Sequence, residues 1–234
     1  MKIWLVIILL TVNVWGQEKE AKQPVSWQAV ARGLQYEPKI LEAAEKYRID
    51  PRYVWVIGYL ETKFKKEARS PVGAEGLMQF MPATAKRMGV QNTYDPHQSI
   101  EGAAKYLKFL YSKFGHPASM MAGYNAGEQA VDCYLKGYSV KLPNGKVINP
   151  NRIKTAFGVP PYQETMGYVK EGMRLLALST WMASAGTPDS ISAVLISWQI
   201  AASLPVTPST LRKRMRRLRA ASWSCAIMGC GSSG

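Results

Sequence analysis

The sequence predicts a mainly α-helical domain with a small β-hairpin inserted late in it. Three observations carry this reading. Apolar residues recur at helical spacing through most of residues 38–180. Two Asp-Pro pairs, Asp50-Pro51 and Asp95-Pro96, each place an acceptor at a helix cap and proline at the first helical position. The helical period breaks at Tyr138–Pro150, YSVKLPNGKVINP, where β-branched residues flank Pro143-Asn144-Gly145. Asn-Gly between two such runs is a strong short-range hairpin signal.

Taken in order, Met1–Gly16 reads as a secretory signal. Lys2 supplies the positive start, Ile3–Leu10 the apolar run, and Val14 and Gly16 the small residues before a cut at Gln17. An uncleaved amino-terminal anchor is the competing reading, and the run is short for a membrane span. Either way the remainder is expected to work outside the cytoplasm, in the periplasm or cell envelope. Residues 17–37 read as a polar linker and the start of a first helix. Pro38 opens a helix in which Ile40, Leu41, Ala44 and Tyr47 share a face. Asp50-Pro51 starts the next, which ends near Glu61. After Asp95-Pro96, Ile100, Ala103, Ala104, Leu107, Leu110, Tyr111 and Phe114 form a broad stripe that Gly115 stops. A short helix is expected over Ala118–Gly123 and another over Glu128–Leu135. Gly158-Val159-Pro160-Pro161 reads as a rigid turn, and the helical period returns from Gln163 to about Thr180. Residues 181–234 shift toward Ser, Thr, Ala and Pro and carry a compact basic run, Leu211–Ala220; they read as a flexible tail.

The chain has 234 residues, 47% of them hydrophobic and 20% charged, which suits one good core with an appendage. Its net charge of +14 suits an anionic partner, whether nucleic acid, membrane surface or acidic wall polymer. Apart from the tail cluster at Leu211–Ala220, the excess is spread along the chain, without the arginine-rich groove or zinc-finger pattern of a nucleic-acid binder, so no nucleic acid is expected. Three cysteines, two of them in the last ten residues, make neither a disulfide framework nor a metal ladder. His97 and His116 lack ligand-spaced companions, so no metal site is expected.

The chemistry concentrates in Val54–Ala85, VWVIGYLETKFKKEARSPVGAEGLMQFMPATA. Val54, Ile57, Gly58 and Glu61 are spaced as one face of a helix. A carboxyl group at the end of an apolar face is partly desolvated, which favours its protonated form. A Glu protonated near neutral pH is able to donate to a leaving oxygen. The plainer alternative is a surface Glu ending an amphipathic helix. Gly76 and Gly127 likewise read singly as turn residues, Met78 and Met81 as core filler, and Asn125 as a helix cap.

Four strings in order resemble the soluble lytic transglycosylase domain, the lysozyme-like family of peptidoglycan-cleaving enzymes. They are Glu61-Thr62-Lys63-Phe64; Ser70–Gln79, SPVGAEGLMQ, continuing into Met81-Pro82-Ala83-Thr84-Ala85; Tyr124-Asn125-Ala126-Gly127; and Pro160-Pro161-Tyr162 with Glu164-Thr165 and Tyr168-Val169. The resemblance covers roughly Ile40–Leu176 and implies a lysozyme-like α-helical fold over residues 38–180. It implies Glu61 as the acid/base and Ser70 as a substrate-positioning residue. It implies Met78, Gln79 and Met81 as groove-lining, Tyr124 and Asn125 as neighbours of the cleaved sugar, and Glu164 as a support of the groove. Three features depart from the pattern: Thr62 stands where serine is usual, Gly123 where alanine is usual, and the hairpin lengthens the stretch between the third and fourth strings.

Common glycosidases use two carboxylates; the resemblance matches neither Glu67 nor Glu75 to a second one. It implies one acid and the substrate's own acetamido group. Cleavage between N-acetylmuramic acid and N-acetylglucosamine would then leave a 1,6-anhydromuramyl end, without water or cofactor. The expected partner is the peptidoglycan glycan strand, and a monomer is expected. A compact domain with a signal and a tail suits local wall opening by a secretion or conjugation apparatus. A hydrolytic muramidase on the same fold and a non-catalytic wall-binding assembly protein are the alternatives.

Overall fold

The structure is a computed structural model that describes residues 26–184. The expected signal lies outside the described residues, as does the expected tail apart from residues 181–184, which continue the last helix. Eight α-helices and one two-stranded antiparallel hairpin make up the described part.

The first helix, α1 (Trp27–Leu34), lies within the stretch expected to hold a linker and the start of a first helix. It is held by tertiary contacts: Ala29 and Val30 are buried, and the Ser26 amide donates to the Tyr59 hydroxyl at 3.1 Å. Helix α2 (Glu37–Tyr47) buries Ile40, Ala43 and Ala44. The expected face was rotated by a fraction of a turn, because Leu41 points to solvent at 41% exposure.

Helix α3 (Pro51–Thr62) starts as the Asp50-Pro51 pair predicts, with the Asp50 carboxylate accepting from the Arg52 amide at 2.9 Å. Every residue from Val54 to Tyr59 is buried. A helix apolar all round is the centre of a core rather than its wall, so α3 does not present the single buried face expected of it. Two consecutive left-handed residues, Lys63 (φ 52°) and Phe64 (φ 60°), end it abruptly. Phe64 folds back under the helix, and its ring leaves room only for the glycines at Gly33 and Gly58: a Cβ at either would lie 2.6–2.7 Å from it.

Helix α4 (Pro82–Met88) follows an irregular loop, and α5 (Pro96–Phe114) is capped by Asp95, whose carboxylate accepts from the His97 and Gln98 amides. Gly115 stops α5 at φ 70°. Helix α6 (Pro117–Ala126) runs one turn beyond the expected end and takes in Tyr124 and Asn125. Helix α7 (Glu128–Lys136) is followed by the hairpin, strands β1 (Val140–Lys141) and β2 (Val147–Ile148), in register Val140 to Ile148 and Lys141 to Val147. The Gly145 amide donates to the Leu142 carbonyl and the Leu142 amide to the Lys146 carbonyl. Gly145 sits at φ 85°, which closes a three-residue turn through Pro143-Asn144-Gly145. A short 3₁₀ turn, Ala156–Gly158, leads to α8 (Gln163–Ser184).

One main core surrounds α3, built from Trp55, Ile57, Phe64, Leu107, Leu110 and Met120 among others. A smaller cluster, Ala130, Cys133, Tyr134 and Ile148, fastens the hairpin to α7. The main core carries the end of α3, the end of α6 and the start of α8 to one place.

Candidate active site

Glu61 lies in the last turn of α3 and is half-buried. Its carboxyl accepts a 2.6 Å hydrogen bond from the Tyr168 hydroxyl of α8. Burial lifts the Glu61 carboxyl from its usual 4.5 to about 7; the Tyr168 bond opposes this, and the charge of nearby Glu164 adds to it. A carboxyl poised at that value gives and takes a proton at neutral pH. Tyr168 and Tyr124 have phenols pushed well above the ordinary range by burial, with Glu61 a further cause for each. Both phenols therefore act as neutral hydrogen-bonding groups.

The loop after α3 is fastened to that helix by Thr62. Its hydroxyl donates to the Leu77 carbonyl at 2.8 Å and accepts from the Lys65 amide at 3.2 Å. The threonine thus makes the bonds a serine hydroxyl makes, and the extra methyl is accommodated at 8% exposure. Gly76 crosses behind Thr93 so closely that a Cβ would sit 1.7 Å from the Thr93 carbonyl oxygen. Ser70 turns the loop: its hydroxyl accepts from the Ala74 amide at 2.8 Å. Gln79, left-handed at φ 50°, donates its side-chain amide to the Ala68 and Gly76 carbonyls at 3.2 and 2.9 Å.

From α6, the Tyr124 hydroxyl donates to the Met78 carbonyl at 2.8 Å, and its ring lies against Tyr106. Asn125 accepts from the Thr165 hydroxyl at 2.7 Å, and its amide nitrogen faces the Glu164 carboxylate at 3.5 Å. Thr165 is itself buried, so the bond fixes which edge of the Asn125 amide faces outward.

The fold therefore gathers Glu61, Tyr124, Asn125 and Glu164 at the meeting of α3, α6 and α8. Ser70 and Gln79 shape the adjoining loop, and Met81 stands exposed at the cap of α4. Met78 differs from expectation: at 1% exposure its side chain is inside the core against α3, so it lines no open groove, and its carbonyl does the work of holding Tyr124. Tyr168, Thr165 and Thr62 were visible as motif letters but carried no assigned role, since nothing local says what their hydroxyls reach. The two other acids near Glu61 in sequence are engaged elsewhere. Glu67 is exposed on the loop near Lys66, and Glu75 accepts from the Thr93 hydroxyl at 3.1 Å. Among the described residues no group of three or more His, Cys, Asp or Glu side chains is placed to hold a metal ion.

A helical domain built around one buried helix that ends in a single protonatable acid is of the lysozyme-like class. Residues 38–142 match the family described as the transglycosylase SLT domain, and the chain belongs to that family. The transglycosylase of Enterobacteria phage PRD1 is 37% identical over 179 residues, covering 70% of this chain and 66% of the phage protein. Membrane-bound lytic murein transglycosylase F of Shewanella halifaxensis is 34% identical over 143 residues, covering 57% of this chain and 29% of the relative. Among solved structures, the 70-kDa soluble lytic transglycosylase in its complex with bulgecin A is similar at a TM-score of 0.51 and 27% identity, over 68% of this chain and 26% of that one. The chain thus spans 66% of the phage relative and about a third of the bacterial ones.

Proposed function

We propose that this protein is a peptidoglycan lytic transglycosylase with Glu61 as its sole catalytic carboxylate. The observation that carries the reading is the Glu61 carboxyl itself, half-buried, poised at about 7 and hydrogen-bonded by Tyr168. Protonated Glu61 donates to the glycosidic oxygen between N-acetylmuramic acid and N-acetylglucosamine, and that bond breaks. The acetamido oxygen of the muramyl residue stabilises the cationic carbon. Glu61, now a carboxylate, takes the proton from the muramyl 6-hydroxyl as its oxygen closes the 1,6-anhydro ring. Water is not consumed, and the enzyme returns to its protonated form.

Asn125, locked by Thr165, offers its amide to the acetamido group, and Tyr124 fixes the wall beside it. Ser70, Gln79 and Met81 line the approach along the loop, and Glu164 supports the groove from the start of α8. Met78 serves through its carbonyl. The substrate is the glycan strand of the wall, which places the working enzyme in the cell envelope. Local opening of the wall for a secretion or conjugation apparatus is the biological role that a domain of this size fits.

Digestion of purified sacculi followed by mass spectrometry of the released fragments tests the reading. Anhydromuramyl ends are expected from the parent. Glu61→Gln should fold, bind glycan and release about 10²- to 10⁴-fold less product, the usual worth of general acid/base participation. Ordinary reducing muramic acid ends would instead identify a muramidase on the same scaffold. Near-parent digestion by Glu61→Gln would remove Glu61 from the mechanism.

A further inference from the structure

The stretch between α7 and α8 has a surface that the glycan-cleaving site leaves unexplained. No Asp or Glu occurs between residues 133 and 163, whereas Lys136, Lys141, Lys146, Arg152 and Lys154 all do. Lys136 is neutralised by Asp132 at 3.0 Å. The other four cations are exposed, and among the described residues no ion pair takes them up.

The same surface is apolar between its charges. Lys141 and Val147 are cross-strand partners on the outward side of the hairpin, while the neighbouring pair turns inward, with Ile148 buried in the small cluster. Val147 is 42% exposed and Ile153 44%. The segments are held side by side by Asn149, which is buried, left-handed at φ 51° and fully engaged. Its amide nitrogen donates to the carbonyls of Cys133, Tyr138 and Ile153, and its oxygen accepts from the Ile153 amide. One side chain thereby joins Tyr138 at the entry to β1 to Ile153 beyond β2. The exposed Val147 and Ile153 and the four cations thus lie on segments that Asn149 ties together.

We infer that this patch docks the protein on an anionic lipid surface. Charge complementarity selects an anionic partner. The exposed valine and isoleucine choose between the two anionic partners of an envelope enzyme. A hydrated anionic wall polymer gives an aliphatic side chain nothing to be buried in. The boundary of headgroups and acyl chains takes Lys and Arg at the phosphates and apolar side chains just below them. The inward face of the hairpin packs near Tyr162, two residues before Glu164. Docking therefore holds the active-site groove close to the bilayer, where the wall meets the membrane.

The test uses the full chain with vesicles of phosphatidylglycerol and phosphatidylcholine, or phosphatidylcholine alone, read by co-sedimentation. Preferential binding to the anionic vesicles is expected. Lys141→Gln with Lys146→Gln should weaken it about 10- to 30-fold, the expectation for two cations at such a surface. Val147→Ser with Ile153→Ser should remove the part of the binding that survives high salt. These positions are exposed, and release of product from small soluble glycan fragments is expected to match the parent, which separates this inference from the glycan chemistry. Unchanged vesicle binding in both variants overturns it. So does loss of binding to isolated anionic wall polymer with vesicle binding intact, which would assign the patch to the wall.

Discussion

The hydroxyl of Tyr168 donates a 2.6 Å hydrogen bond to the carboxyl of Glu61, 107 positions earlier in the chain. It joins the start of α8 to the end of α3. It also sets the proton affinity of the acid, because a donor to a carboxylate favours the charged form and works against the burial that raises it.

Tyr168→Phe keeps the ring and removes that donor. The Glu61 carboxyl should then titrate higher, and the alkaline limb of the pH–rate profile should move up. A hydrogen bond to a charged group is worth about 1.5–3 kcal/mol, so roughly a 10- to 100-fold loss of rate is expected in the step where Glu61 gives up its proton and the carboxylate forms. A loss of rate with an unmoved alkaline limb would mean that the hydroxyl is not a proton-affinity determinant.

The same poise costs stability above neutrality. The folded protein holds the Glu61 proton up to about pH 7, whereas an ordinary glutamate releases it near 4.5. The native state therefore binds more protons than the unfolded chain across that window, and its stability falls as pH rises through it. Glu61→Gln, neutral throughout, should melt near the parent at acid pH and above it on the alkaline side, by at most roughly 3 kcal/mol. Coincident melting curves at both ends would show that the carboxyl is not held high.

Gly76→Ala tests the close crossing of the loop behind Thr93. The new Cβ would meet the Thr93 carbonyl oxygen at 1.7 Å, at a position with φ 73°. Both the clash and the backbone conformation oppose it, and a loss of at least about 2 kcal/mol in denaturant unfolding is expected. Activity should fall further than stability alone explains, since Gln79 and the Met78 carbonyl that holds Tyr124 belong to the displaced loop.

Asn149→Ala removes four hydrogen bonds from a buried position: those to the Cys133, Tyr138 and Ile153 carbonyls and the one from the Ile153 amide. About 2–4 kcal/mol should be lost. Asn149→Gly permits the left-handed backbone without strain. A glycine variant as unstable as the alanine one places the loss in the hydrogen bonds; recovery in the glycine variant places it in the backbone.

The elements legible in the sequence are those whose causes lie within a few residues. Asp50-Pro51 and Asp95-Pro96 start helices because a carboxylate reaches amides only two or three positions ahead. Pro143-Asn144-Gly145 turns the hairpin through bonds that span three or four residues. Glu61 stood out because an apolar run ends at it. The features hidden in the sequence depend on distant partners. Helix α1 exists because Gly33 admits the Phe64 ring and Tyr59 receives the Ser26 amide. Leu41 is exposed and Met78 enclosed because burial is decided by what the fold packs alongside. The Tyr168 hydroxyl, the Thr62 link to Leu77 and the Thr165 lock on Asn125 span 107, 15 and 40 positions. Sequence alone therefore determined the capped helices and the turn and singled out Glu61, since capping and periodicity are short-range. The tertiary structure alone decided the poise of that acid, because desolvation and hydrogen bonding at Glu61 come from a helix brought back across the core.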